Sequence, residues 1–462
     1  MSGRGARRGA VLISLLVGTL ALAGCASAAP PIRIGAVFPI SGSAASLAGE
    51  ELRGVRIAAD LVNAAGGVKG RRIELDVRDL ESADAAPAVM DAFRSDGVSI
   101  VLGTYSSDLS VPASAAANAA GLLYWEAGAV ADRLTGRGLP LVFRVGASGT
   151  NLGSNSASFA ALELAPRLGR PVSALRLAIV AARDDYATSV ADAAARTAGV
   201  GGVPVVARIS YDLTLPQWPS VMRQLAASRP DVIILASHIP DGVAFRQAMI
   251  AANLHVGALI GSTMAECDPD FAGALGPDAV GVFASDRPTG GFQPTALGTA
   301  ARATYDRFAA AWSSGQDAPA AMASAPADNG SGWDGTGSYA RPGSTSGASI
   351  SGPDMTTTSG GPTEEGISGF SAAWALFDTV LPAVAGGSLT AEAVAAAARA
   401  VNLPEGALPN GAGLQFSSDP GTLGQNLRAA AVIWQWQAVR SYTFVWPPTY
   451  ATGSIDYVPL GR

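Results

Sequence analysis

IRIGAVFPISGSAASLAGEELRGVRIAADLVNAAGGVKGRRIELDVRD, residues 32–79, sets two hydrophobic periods side by side. Ile32 to Phe38 is a short, almost wholly apolar run that stops at Pro39, the pattern of a strand buried on both faces. Leu52, Val55, Ala59 and Val62 then recur at helical spacing until Gly66-Gly67, which predicts an amphipathic helix with glycine at its exit. Arg72 to Arg78 returns to alternation of apolar and polar residues, a second strand. A strand, a helix and a strand in succession predict a parallel pair joined by a covering crossover.

The same alternation continues outward. A helix near Ala85 to Ser95, a buried-strand run over Val98 to Leu102, a helix from about Ser110 to Ala120 and a strand over Leu122 to Trp125 complete a first unit. The series restarts with a helix near Asn155 to Leu168, then strands at Leu175 to Ala181, Pro204 to Ile209 and Val232 to Ala236. Helices at Ala187 to Ala198, Gln217 to Ser228 and Asp241 to Asn253 alternate with them. The fold class is therefore α/β, with two units in succession and parallel-rich sheets. Further on, GISGFSAAWALFDTVLPAV places Phe370, Trp374, Phe377 and Val380 at core spacing on a helix. A second helix follows over Thr390 to Val401, and the tail carries two β-like runs, Arg428 to Gln437 and Tyr442 to Trp446.

Residues 1–24 have the composition of a secretory leader: Arg4, Arg7 and Arg8, then an apolar run from Ala10 to Leu22 that is short for the about 20 residues a bilayer core needs. Leu22-Ala23-Gly24-Cys25 is a lipoprotein cleavage pattern, so the mature chain is expected to begin at Cys25, acylated and anchored to the outer face of the membrane. No later apolar stretch is expected to span one. A net charge of -6, with Lys69 the single lysine, argues against a nucleic-acid surface, which needs clustered cations. With Cys25 lipidated, Cys267 has no partner for an intrachain disulfide. Between residues 313 and 362 the pattern gives way to Gly, Ser, Ala, Pro and Thr. Such a segment buries too little apolar surface to offset its ordering entropy and is expected to be a disordered insertion.

Catalytic signatures are missing. The chain holds no G-x-S-x-G elbow, no G-x-x-x-x-G-K-[ST] loop and no H-E-x-x-H helix, and Pro39-Ile40-Ser41-Gly42 stands where a dinucleotide loop would follow the first strand. Its two histidines, His238 and His255, have no second ligand at metal spacing. No catalytic set, metal or cofactor is expected. Asp184-Asp185 at a strand-to-helix turn reads as an N-cap and its neighbour rather than as a paired acid and base.

The opening stretch resembles that of leucine/isoleucine/valine-type substrate-binding proteins, the extracytoplasmic receptors of ABC transporters for branched-chain and related amino acids and amides. The resemblance continues through VLGTYSSDLSVPASAAANAAGLLYW, LRLAIVAARDDYATSVADAA, YDLTLPQWPSVMRQLAASRPDVIILAS and LQFSSDPGTLGQNLRAAAVIWQWQ. It implies a type I periplasmic binding protein: two Rossmann-like lobes joined by a three-segment hinge, with a small polar solute held between them and delivered to a permease. Residues 32–147 with 285–416 would form lobe 1, and 148–284 with 417–462 lobe 2. The crossings would fall near Val145 to Ser148, Ala284 to Arg287 and Ser417 to Asp419. Such receptors resemble monomers. A sensor of the same fold, an extracellular hydrolase using Glu126 with Asp184 or Asp185, and an adhesion protein using the insertion are the alternatives.

Loops at the carboxyl ends of parallel strands, and the helix starts that follow, present free N–H groups suited to an acceptor such as a carboxylate. Gly103-Thr104-Tyr105-Ser106-Ser107 lies at such a place, and the resemblance makes Tyr105, Ser106 and Ser107 ligand contacts. In the next loop Val130 stands where amino-acid binders resemble a threonine. Glu126 replaces a serine there, bringing a carboxylate able to accept from an amine, amide or hydroxyl, and Gly128 lies between them. From the second unit Tyr186 matches a tyrosine that closes over the ligand, and Ser237 or His238 matches another contact. Thr263 to Glu266 occupies the loop where a glutamate holds the ligand ammonium. Trp125 is placed either as an apolar cleft wall or in the core.

Overall fold

The computed structural model describes residues 29–42, 44–262, 269–315, 362–439 and 441–460. The leader, Cys25, Thr263, Glu266, Cys267 and nearly all of the 313–362 insertion lie outside the described residues.

The first sheet is parallel throughout, in the order β2-β1-β3-β4-β5, from β1 (Ile32–Phe38), β2 (Ile73–Asp79), β3 (Ile100–Gly103), β4 (Leu123–Glu126) and β5 (Val142–Arg144). Between these strands run α1 (Ala45–Ala64), α2 (Ala86–Ser95) and α3 (Ser107–Ala119). Alternate side chains serve two cores. Val37, Val101, Tyr124 and Val142 pack with Met90 and Phe93 of α2 on one face. Ile34, Phe38, Leu102, Trp125 and Phe143 pack on the other face. Burial on both faces explains why these strands read as apolar runs rather than as alternation.

The chain then leaves this sheet through α4 (Gly149–Phe159), a π turn and α5 (Ala165–Arg167). It continues as β6 (Leu177–Ala182), α6 (Asp185–Val200), β7 (Val205–Tyr211), α7 (Trp218–Ser228), β8 (Val232–Ala236), α8 (Ile239–Ala251), β9 (Ala258–Ser262), α9 (Pro269–Leu275) and β10 (Phe283–Asp286). After α10 (Thr299–Ser314) come α11 (Glu364–Trp374), a π turn, α12 (Leu381–Val384) and α13 (Ala391–Ala400). The chain ends in β11 (Val432–Ala438) and β12 (Ser441–Trp446). The second sheet has the order β12-β11-β10-β9-β8-β6-β7, parallel from β7 to β10 with β11 and β12 antiparallel at one edge.

Three passages connect the sheets. The first follows Arg144 into α4, which packs on α6, and the second comes at Arg287, just past β10. The third lies between Asn426 and β11, later than Ser417 to Asp419, because Ser417 and Gln425 form a hairpin tied to β5. Ser417 N–H donates to Gln425 O at 2.8 Å and Asn426 N–H to Arg144 O at 3.0 Å.

A second correction concerns membrane spans. The continuous helix from Glu364 to Val384 is long and apolar enough to cross one, contrary to the expectation from sequence, but 67% of that window is buried inside the protein. It lies against α1 in the first lobe, with the Phe370 and Phe308 rings stacked 4.1 Å apart.

Candidate functional site

Loops at the carboxyl ends of strands in both sheets carry the predicted site residues. From the first lobe come the loops after β3 (residues 103–107) and β4 (residues 126–131), and from the second those after β6 and β8. The lobes touch through residues 132–133, where Asp132 N–H donates to Ser189 Oγ at 3.0 Å and Thr150 N–H donates to Asp132 Oδ1 at 2.9 Å. Arg133 pairs with Asp185 at 3.0 Å beside them.

The β3 loop is strained. Gly103 has φ +143, and a Cβ there would meet Val37 O at 2.0 Å, so only glycine lets β3 end this close to β1. Tyr105 (φ 135) and Ser106 (φ 67) also take positive φ, a conformation that side-chain-bearing residues hold chiefly where function demands it. Ser106 is the N-cap of α3 but makes no side-chain cap bond, whereas Ser107 Oγ accepts from Ala131 N–H at 3.0 Å. That bond ties the two loops together and leaves the Ser107 hydroxyl proton free to be donated. Tyr105 is buried behind them.

Glu126 turns back onto its own loop, away from solvent. It is fully buried, its Oε1 accepts from the N–H groups of Ala127, Gly128 and Ala129 at 3.1, 2.9 and 2.9 Å, and its Oε2 accepts from the Tyr124 hydroxyl at 3.0 Å. Burial pushes its pKa up, against the opposing pull of those bonds. The carboxylate shapes the loop that presents Gly128 and Val130, and Val130 is packed in the apolar core. Trp125 belongs to the core too, its indole N–H donating to Ala372 O at 2.8 Å and its ring meeting Phe416 edge-on at 5.3 Å.

Arg144 is a positioning residue that the sequence reading passed over. Fully buried at the end of β5, it donates Nη1 to Ala131 O at 2.7 Å and to Ala129 O at 3.3 Å, and Nε to Gln425 Oε1 at 2.6 Å. Burial draws its pKa down to about 10, which still leaves it charged at neutral pH. The signal was a lone arginine inside the apolar run Leu141 to Val145.

In the second lobe Tyr186 is buried and its hydroxyl donates to the carbonyl of Ser237 at 3.1 Å, with that of Ser262 also against it. The ring packs edge-on against His238, centroids 5.2 Å apart. His238 Nε2 lies 3.0 Å from Asp184 Oδ2, and Asp184 caps α6 by accepting from Ala187 N–H at 2.7 Å, the N-cap role read from sequence. Burial opposes ionisation of both groups. The His238 bond and charge nevertheless hold Asp184 below the usual carboxylate range, and Asp184, Asp241 and, from the opposite lobe, Asp108 raise His238 above the usual imidazole value. Ser237 Oγ and Ser262 Oγ are buried with no hydrogen-bond partner. Among the described residues no group of three or more His, Cys, Asp or Glu could hold a metal ion.

A family model described as periplasmic binding protein matches residues 31–341. The chain belongs to the periplasmic binding protein family. This periplasmic binding protein is 34% identical over 278 residues to the Leu/Ile/Val-binding protein homolog 8 of Brucella abortus, a match covering 60% of this chain and 67% of that relative. An ABC transporter substrate-binding protein from Desulfitobacterium hafniense, crystallised with Leu, superimposes with a TM-score of 0.61 at 20% identity, covering 90% of this chain and all of the other. A solute-binding protein of an ABC transporter from R. palustris, in complex with benzoate, gives 0.62 at 17% identity over 94% of this chain and 100% of its own. The two sheets are those of the type I fold, and the family places this periplasmic binding protein outside the cytoplasm as a solute-binding receptor.

Proposed function

We propose that this protein is the lipid-anchored receptor of an ABC importer. It closes its two lobes on a small polar solute, an amino acid, amide or related compound, and presents the closed form to a permease without altering the solute. What supports this reading is that Tyr105, Ser106 and Ser107 follow β3 of the first sheet while Tyr186 and His238 follow β6 and β8 of the second, with Asp132 bonded to Ser189 and Thr150 and the charge of Asp108 felt by His238. Affinity then comes from contacts that both lobes make only when closed, so solute binding is a population shift toward the shut form. Ser107 offers its hydroxyl proton to an acceptor on the solute, and the first N–H groups of α3, which follow the strained β3 loop, supply further donors. Acyl chains on Cys25 hold the body, as a monomer, at the outer face of the membrane.

Calorimetry of the mature chain lacking its lipid, against amino acids and amides, tests this directly. At least one solute binds and is recovered unchanged by mass spectrometry, and Ser107→Ala weakens it by about fivefold or more. Tyr186→Ala weakens it as well. A solute that returns chemically changed, or affinity indifferent to both substitutions, contradicts the reading. Cys25→Ser should release the protein from the membrane fraction.

A further inference from the structure

Beneath the first-lobe loops lies charge to which no role has yet been given. Glu51 projects from α1 with its side chain fully buried, and neither carboxyl oxygen has a hydrogen-bond partner. It is pressed against the β4 loop so closely that a Cβ on residue 128 would stand 2.0 Å from Glu51 Oε2 and would have to displace that carboxyl group. Arg287, at the second passage between lobes, grips the same loop from the other side by donating Nη1 to Gly128 O at 2.7 Å. Its Nε donates to Glu364 Oε1 at 2.7 Å, and Nη2 meets that same oxygen. Glu364 and Glu365 open α11 and are both buried. The Tyr105 hydroxyl lies within the fields of Glu365, Arg287, Glu364 and Glu51.

Four buried carboxyl groups, Glu51, Asp286, Glu364 and Glu365, therefore surround one guanidinium beside the β4 loop, and the guanidinium is engaged by Glu364, Asp286 and Gly128. Burial, with the like charges of Glu126 and Glu364, outweighs Arg287 and raises the Glu51 pKa well above the ordinary carboxylate range. A buried carboxyl without a partner carries its whole desolvation cost. Such a group makes structural sense where its partner arrives from outside.

We infer that the solute carries a cationic side chain, an ammonium or guanidinium beyond the α-ammonium that all amino acids share, and that Glu51 is its counter-ion. This rests on the receptor reading above and narrows its solute class to basic amino acids. When the cation enters, Glu51 gives its proton to solvent and the carboxylate pairs with the solute. Ionisable groups facing Glu51 or its immediate partners are Glu126 from β4, Tyr105 after β3, Asp286 and Arg287 at the end of β10, and Glu364 and Glu365 on α11. None of these supplies Glu51 with a hydrogen bond. Binding releases a proton, so affinity for the cation rises with pH until free Glu51 ionises by itself.

The test is calorimetry of the mature chain with L-arginine, L-lysine and L-leucine, each in phosphate and in Tris buffer, alongside Glu51→Gln. Arginine or lysine should bind about tenfold or more tighter than leucine. The buffer dependence of the heat should report release of close to one proton per solute. Glu51→Gln should keep its melting temperature, lose that release, and weaken the basic solutes by about tenfold or more. Leucine binding more tightly than both basic amino acids overturns the inference and leaves the receptor reading standing. Basic solutes bound with no proton release by the unaltered protein also overturn it, whatever the fate of the variant. If amides and other amino acids give no heat either, the receptor reading falls and takes the inference with it.

Discussion

Glu126 collects three backbone N–H groups and one phenol around a single buried carboxylate, so its removal strands several donors at once. Glu126→Ala is expected to cost about 3 kcal/mol or more in urea unfolding, well beyond an ordinary surface change. His238 makes a pH-dependent contribution whose sign follows from its raised pKa. The protonated form is favoured in the folded protein, so the stability it adds is complete below the unfolded value of about 6.5 and is lost as pH climbs through the higher folded value. The stability difference between the unaltered protein and His238→Asn should therefore be larger at about pH 6 than at about pH 8.5. A difference that stays constant, or grows with pH, would show that the Asp184–His238 pair does not act in this way. Residue types alone did not reveal these roles. Glu126 stood out in sequence as an unusual carboxylate near the cleft, yet whether it faced solute or its own backbone depended on the curl of the loop that it caps.

Among the elements, α1 and α11 hold the buried charges in place. They cross so closely that a Cβ on Gly369 would lie 2.1 Å from Glu51 O, and one on Gly54 would lie 2.1 Å from Gly366 O. Gly369→Ala should force the helices apart, lower stability by about 1–3 kcal/mol and weaken solute binding, read by thermal melts and calorimetry on the same sample. Unchanged melting would mean that the two helices give way freely. Most of these elements were legible. Apolar runs at Ile32 to Phe38 and Val232 to Ala236, and helical spacing over Leu52 to Val62, follow from burial on two faces and on one stripe. β5, β9 and β10 went unread: β5 carries Arg144, β9 ends in Gly261-Ser262 and β10 in Ser285-Asp286, so none is a continuous apolar run. The pairing of Glu51 with Gly128, and of Arg287 with Glu364, joins residues far apart in the chain and follows from topology rather than from any local pattern.

For the whole molecule, two sheets are joined by three passages, and polar contacts among the described residues cross between them at residues 132 and 133. The Arg133–Asp185 pair is exposed, with side chains 62% and 44% accessible, so it adds about 0–1 kcal/mol. Asp132 contributes more direct bonds, to Ser189 and Thr150. Under the proposed function the lobes part to admit a solute and shut around it, with the solute supplying closing energy. Small-angle X-ray scattering of the mature chain, with and without a saturating concentration of whichever solute gives the largest calorimetric heat, measures that motion. The account predicts that the radius of gyration falls on binding and that Asp132→Ala shifts the solute-free protein toward the larger value. An identical scattering profile with and without bound solute would contradict it.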